Sequence, residues 1–184
     1  DDFMGFVFGY QDSGHFYLFD WKRGNQNDAG GFAERGMSVK RVAADSPLTT
    51  LDVWPTAGNA PRVEPLYHNQ IPWQVNTDYQ FALEFHPGEF SVTVRQGTTV
   101  LDSLTLRDDT YTSGKFGFYN YSQAGVVYTG FRSTPLASRV YAYDAQAIDP
   151  DADALQWSRR RVPWRSACRP TRVWRPEPFA STSD

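Results

Sequence analysis

The chain has 184 residues, of which 16% are aromatic and 21% charged, with a formal net charge of −3 and a single cysteine. That length supports one domain with an appendage, and the aromatic content provides enough apolar surface to offset the cost of ordering the chain. Cys168 alone forms no internal disulfide and excludes a cysteine-rich zinc site.

No apolar run approaches the roughly 20 residues needed to cross a bilayer, so membrane insertion is not expected. The start lacks the basic, apolar and small-residue order of a leader, so an exported chain is expected to begin after its signal. Charge is unevenly spread. Residues 1–157 hold 11 basic against 19 acidic side chains, whereas 158–184 hold 7 arginines against Glu177 and Asp184. An acidic body argues against nucleic-acid binding, which needs a positive face, and suits a surface that gathers divalent cations.

The predicted elements are strands. FMGFVFGY (3–10) and HFYLFDW (15–21) are rich in aromatic and β-branched residues around the turn-forming QDSG, which makes a hairpin. SVKRVA (38–43) fits a third strand. YQFALEFH (79–86) places Tyr79, Phe81, Leu83 and Phe85 on one side of a period-two pattern. EFSVTVRQ (89–96) does the same with Phe90, Val92 and Val94, and Pro87-Gly88 closes that hairpin. TTVLDSLTL, KFGFYNY (115–121) and VVYTGFRS (126–133) follow as short strands bounded by Gly, Asp or Ser. No segment of useful length carries helical spacing. The expected class is all-β with roughly ten strands in two packed antiparallel sheets, and the aromatics at the start are expected to be core strands.

Catalytic constellations are lacking in the sequence. His15, His68 and His86 lie in three separate segments without a zinc spacing. No Gly-x-Ser-x-Gly elbow occurs and the only cysteine sits in the basic tail. Sandwich glycosidases use two carboxylates held across the scissile bond, but Glu84 and Glu89 flank a turn and no strand alternates acids tightly. Asp149, Asp151 and Asp153 alternate in DPDAD, yet an EF-hand loop fails because the twelfth position would be Arg160. Those three remain a possible second metal site, with a solvated turn as the alternative. Trp54 in LDVWPTAGN and Trp73 in NQIPWQV are loop aromatics, so each is a ligand-stacking candidate or part of a packed loop layer.

The run DDFMGFVFGYQDSGHFYLFDWKR (1–23) resembles the start of the thrombospondin C-terminal domain. GMSVKRV (36–42), LDVWPTAGNAPRVEPLYHN (51–69), IPWQVNTDYQFALEFHPGEFSVTV (71–94) and DDTYTSGKFGFYNYSQAGVVYTGF (108–131) continue the resemblance in order, covering about residues 1–134. The resemblance implies a calcium-associated, lectin-like β-sandwich of the laminin G and concanavalin A jelly-roll type, noncatalytic and used in extracellular adhesion. It places a metal-associated acidic pair at Asp1 and Asp2, where the plain alternative is a frayed acidic terminus. Asp20, Asp28, Asp108, Asp109 and Asn120 are the oxygens available to complete such a site.

YAYDAQAIDPDADALQWS (141–158) resembles the opening of bacterial cadherin-like and immunoglobulin-like repeats. The expected organisation is a sandwich over 1–140, a linker or first strand of a truncated repeat over 141–157, and a disordered or non-native tail over 158–184. The expected function is a calcium-binding adhesion or ligand-binding module of an extracellular or surface-anchored multidomain protein of bacterial type. Its partners would be an extracellular protein or glycan and neighbouring domains of the same chain. A carbohydrate-binding module or domain within a carbohydrate-active enzyme, and a structural spacer, are the alternatives.

Overall fold

The structure, a computed structural model, describes residues 2–28 and 31–135. It is an antiparallel β-sandwich. Five strands form one sheet: β1 (Phe3–Asp12), β2 (His15–Lys22), β5 (Gly36–Ala43), β6 (Val63–His68) and β10 (Lys115–Tyr121), in the order β10-β1-β2-β5-β6. Facing it is a three-stranded sheet of β7 (Gln80–His86), β8 (Glu89–Gln96) and β9 (Thr99–Leu106), paired in chain order. A small hairpin, β3 (Gln26–Asp28) with β4 (Gly31–Ala33), stands apart from both.

The core between the sheets follows from the period-two pattern. Phe6 and Phe8 of β1, Tyr17, Phe19 and Trp21 of β2, and Met37 and Val39 of β5 meet Phe90, Val92 and Val94 of β8 and Leu104 of β9. Tyr79, Phe81, Leu83 and Phe85 pack against this cluster from the β7 side. The rings interlock edge to face across the gap: Phe8 with Phe90 at 4.9 Å, Phe6 with Phe81 at 6.0 Å and Trp21 with Tyr79 at 4.6 Å. Such pairs add about 0.5–1.5 kcal/mol each beyond area burial.

Strict alternation along β1 would send Tyr10 into the same core. Gly9 prevents that by adopting φ +57°, and the register with β10 slips between Val7 and Tyr10. The bulge turns Tyr10 to the outer face, where it stacks on Phe16 at 5.9 Å. Gly114 passes directly against the Gly9 backbone, too close for any β-carbon.

The outer face of the five-stranded sheet is also covered. Segment 44–62 folds back over it, and its single helical turn α1 (Thr50–Val53) was not expected from sequence spacing. Phe16, Leu18, Val42 and Val63 pack there with Val53 and Leu48, while Phe3, Ala33 and Trp54 form a neighbouring cluster with Tyr119 and Tyr121. Asp52 fastens the segment. Its carboxylate takes hydrogen bonds from Thr49 N–H at 2.8 Å, Asn59 Nδ2 at 2.8 Å and Arg62 Nε at 2.9 Å.

Two differences from the expected strands have local causes. β6 contains Pro65, which removes a ladder donor and is tolerated because β6 is the outermost strand, beside a register shift at Val39/Lys40. The expected strand over 126–133 does not form. Gly125 and Gly130 hold positive φ (75° and 66°), and the segment lies on β10 through side chains instead. Tyr128 stacks on Phe118 at 4.4 Å and Phe131 on Phe116 at 5.0 Å. The Tyr128 hydroxyl accepts from Gly5 N–H at 3.0 Å and donates to Tyr119 O at 2.6 Å.

Candidate functional site

The acids proposed for a metal are distributed over two places and the surface. Asp2 and Asp20 fall on the outer face of the five-stranded sheet, and each meets an ammonium. Asp20 is paired across the ladder with Ser38, which places Lys40 diagonally opposite it. Lys40 Nζ lies 2.9 Å from Asp20 Oδ2 and donates to Val53 O at 2.7 Å, while Ser38 Oγ donates to Asp20 Oδ1. Lys22 Nζ lies 3.3 Å from Asp2 Oδ1 and 3.0 Å from Gln26 Oε1. Both lysines are 0% exposed, and Asp20 is buried with them.

Aromatic faces complete the surroundings. Lys22 Nζ sits 4.5 Å from the Trp54 ring centroid and 4.7 Å from that of Phe3, and Lys40 Nζ 5.6 Å from Phe3. Burial pushes the Lys22 pKa down, and the Asp2, Asp20 and Asp28 charges oppose that shift without overcoming it. The backbone of Asp2 is fixed as well, with its N–H donated to Gln123 Oε1 at 3.1 Å and its C=O accepting from Trp73 Nε1 at 3.1 Å.

Asp108 belongs to a different cluster. It continues from β9 toward β10 and accepts from Arg41 Nη1 at 2.6 Å, Tyr17 Oη at 2.6 Å and Thr110 N–H at 2.9 Å. Burial raises its pKa, but the hydrogen bonds from Tyr17, Thr110 and Arg41 outweigh that and hold it below the usual carboxylate value. The same contact and burial push the Tyr17 hydroxyl well above its ordinary range. Arg41 also pairs with Glu64, so this cluster ties β5, β6 and the β9–β10 connection at one rim.

Asp28, Asp109 and Asn120 are exposed, and Asn120 Nδ2 donates to Gln123 O at 2.8 Å. Asp1, Asp149, Asp151 and Asp153 lie outside the described residues. Among the described residues no group of three or more His, Cys, Asp or Glu is arranged to hold a metal. Asp2, Asp20 and Asp108, expected as calcium ligands, have carboxylate oxygens engaged by Lys22, Lys40 and Arg41, whereas calcium takes six to eight oxygens.

The two loop tryptophans are packed rather than exposed. Trp54 and Trp73 are 3% and 5% exposed, and Trp54 Nε1 donates to Gly31 O at 3.1 Å. Neither offers a ring face to a sugar, because the loops carrying them fold onto the sheet. Exposed aromatics lie elsewhere. Phe116 (38%), Phe118 (50%) and Phe131 (58%) form an apolar surface along β10. The alternation in KFGFYNY places Phe116 and Phe118 on one face of β10.

The described residues thus form an antiparallel sandwich whose outer face is covered and held by buried ion pairs. Residues 1–134 match the family described as the thrombospondin C-terminal region, and the chain belongs to it. It is similar to cartilage oligomeric matrix protein of Bos taurus, 32% identical over 161 residues, covering 80% of this chain and 21% of that protein. It is also similar to thrombospondin-2 of Homo sapiens, 32% identical over 147 residues (72% of this chain, 12% of that protein). Thrombospondin-1 of Xenopus laevis is 33% identical over 147 residues, with the same coverage. The chain thus spans about a fifth or less of these relatives' length. Its place is extracellular, and among the described residues no helix is long and apolar enough to cross a membrane.

Proposed function

We propose that this chain is a noncatalytic adhesion module that takes an extracellular protein through the aromatic surface on β10. The observation that carries this reading is the shared exposure of Phe116, Phe118 and Phe131, whose rings lie against one another. Contiguous exposed apolar surface of this kind marks protein contacts. The acidic balance of residues 1–157 favours a ligand with an apolar centre and a basic rim.

A glycan ligand is less well supported. The two tryptophans that could stack on a sugar are buried, and the exposed phenylalanines bring no hydrogen-bonding groups for sugar hydroxyls. This reading draws on no bound metal, and Asp2, Asp20 and Asp108 are engaged by Lys22, Lys40 and Arg41.

The test is retention of the whole chain on an array of purified extracellular-matrix proteins and, in parallel, on a glycan array. Protein retention that a Phe118→Ser/Phe131→Ser variant loses is the expected result. Glycan retention, or protein retention unaffected by the variant, would contradict the proposal. Retention on neither array would favour a spacer.

A further inference from the structure

We propose that Lys22 and Lys40 serve as the built-in cations of the acidic outer face, so that this module folds and holds its amino-terminal strand without calcium. The inference does not depend on which ligand the module binds. Each ammonium collects protein oxygens of the kinds a hard cation would take. Lys40 gathers a carboxylate oxygen of Asp20 and the Val53 carbonyl, at 2.9 and 2.7 Å. Lys22 gathers a carboxylate oxygen of Asp2 and the Gln26 amide oxygen, at 3.3 and 3.0 Å.

Two features make the place suited to ammonium and unsuited to calcium. The first is charge. Asp2 and Asp20 already have one buried cation each, and a divalent ion entering here would stand beside two like charges in a medium that screens poorly. The second is the wall. The rings of Phe3 and Trp54 lie 4.7 and 4.5 Å from Lys22 Nζ. Aromatic faces solvate an organic cation well but supply none of the six to eight oxygens calcium requires. No buried side-chain polar atom among the described residues lacks a partner, so the layer is complete with lysine in place.

Mechanically, the two lysines join what sequence keeps apart. Lys22 holds Asp2 at the entrance to β1, and Lys40 holds β2 through Asp20 and α1 through Val53. A cation is needed for that task, and the sequence supplies two.

The experiment is thermal unfolding of the full chain in excess EDTA and then with calcium restored, together with metal analysis of the purified protein. The expected result is an unchanged melting temperature and no stoichiometric calcium, with Lys22→Met lowering the melting temperature equally in both conditions. A calcium-dependent rise in the unsubstituted chain would overturn the proposal. Loss of that rise in Asp2→Asn would place the ion at this face, and its persistence would place it elsewhere. If Lys22→Met fails to fold, the calcium response of the unsubstituted chain decides alone.

Discussion

The two faces of the five-stranded sheet are built from the same strands and are both buried, yet they are held by different physics. The inner face of β1, β2 and β5 is a continuous aromatic and aliphatic surface against the second sheet. The outer face mixes Phe3, Phe16 and Leu18 with Asp20, Lys22, Ser38 and Lys40, all buried. On the inner face, stability is expected to scale with apolar area and the fit of rings. On the outer face it depends on charges that remain harmless only while each keeps its partner. Polar side chains on alternate strand positions thus do not signal solvent when a long connection folds back over them.

The comparison can be broken most severely from the inner face. Trp21→Ala removes a fully buried ring and its hydrogen bond to Ile71 O, 2.7 Å away. A loss of about 3–5 kcal/mol is expected from the lost burial together with the cavity, read as a fall in denaturant midpoint. Next is Lys40→Met, which keeps volume but strands the Asp20 charge. A loss of about 3 kcal/mol is expected, the lower end for a broken buried pair.

The covering segment sharpens the comparison through pH. The Arg62 guanidinium beside Asp52 holds that carboxyl well below the usual carboxylate range, and burial opposes this without prevailing. A depressed folded pKa contributes stability that is complete above the ordinary value of about 4 and is lost as pH falls through the folded value. Asp52→Asn should therefore cost about 1–3 kcal/mol near neutral pH, and its deficit should shrink as both proteins are titrated below about pH 4. A deficit independent of pH would remove the charge from the explanation. Phe118→Ser, on the exposed aromatic surface, should change stability by no more than about 0.5 kcal/mol, and any effect on ligand retention would then be local.

Much of the inner face was legible in the sequence, because period-two runs such as Phe6-Phe8, Tyr17-Phe19-Trp21 and Phe90-Val92-Val94 specify both strand and face. Hairpins at QDSG and Pro87-Gly88 were legible from turn chemistry. The Gly9 bulge was not, since one positive φ leaves no pattern. β6 was hidden by Pro65, and 126–133 looked like a strand because Val126, Val127 and Tyr128 favour one, although nothing local reveals whether a partner strand is within reach.

The candidate site was less legible. The acids at Asp2 and Asp20 drew attention as oxygens in search of a cation, but the lysines at Lys22 and Lys40 sit two or more strand positions away and meet them only through the ladder. A basic residue inside an otherwise apolar strand, as in DWK and SVKRV, was the available signal. Trp54 and Trp73 read as exposed because they follow loop residues. Their burial depends on segments folding back over the sheet, which no local window encodes.

The most direct measurement of the outer-face account is a double-mutant cycle on Asp20 and Lys40, with Asp20→Leu, Lys40→Met and both together unfolded in denaturant. If the face is held by paired buried charges, the double variant should be more stable than either single variant, with a coupling above about 1 kcal/mol. Additive losses, with coupling below about 0.5 kcal/mol, would show that these charges do not depend on one another and would contradict the account.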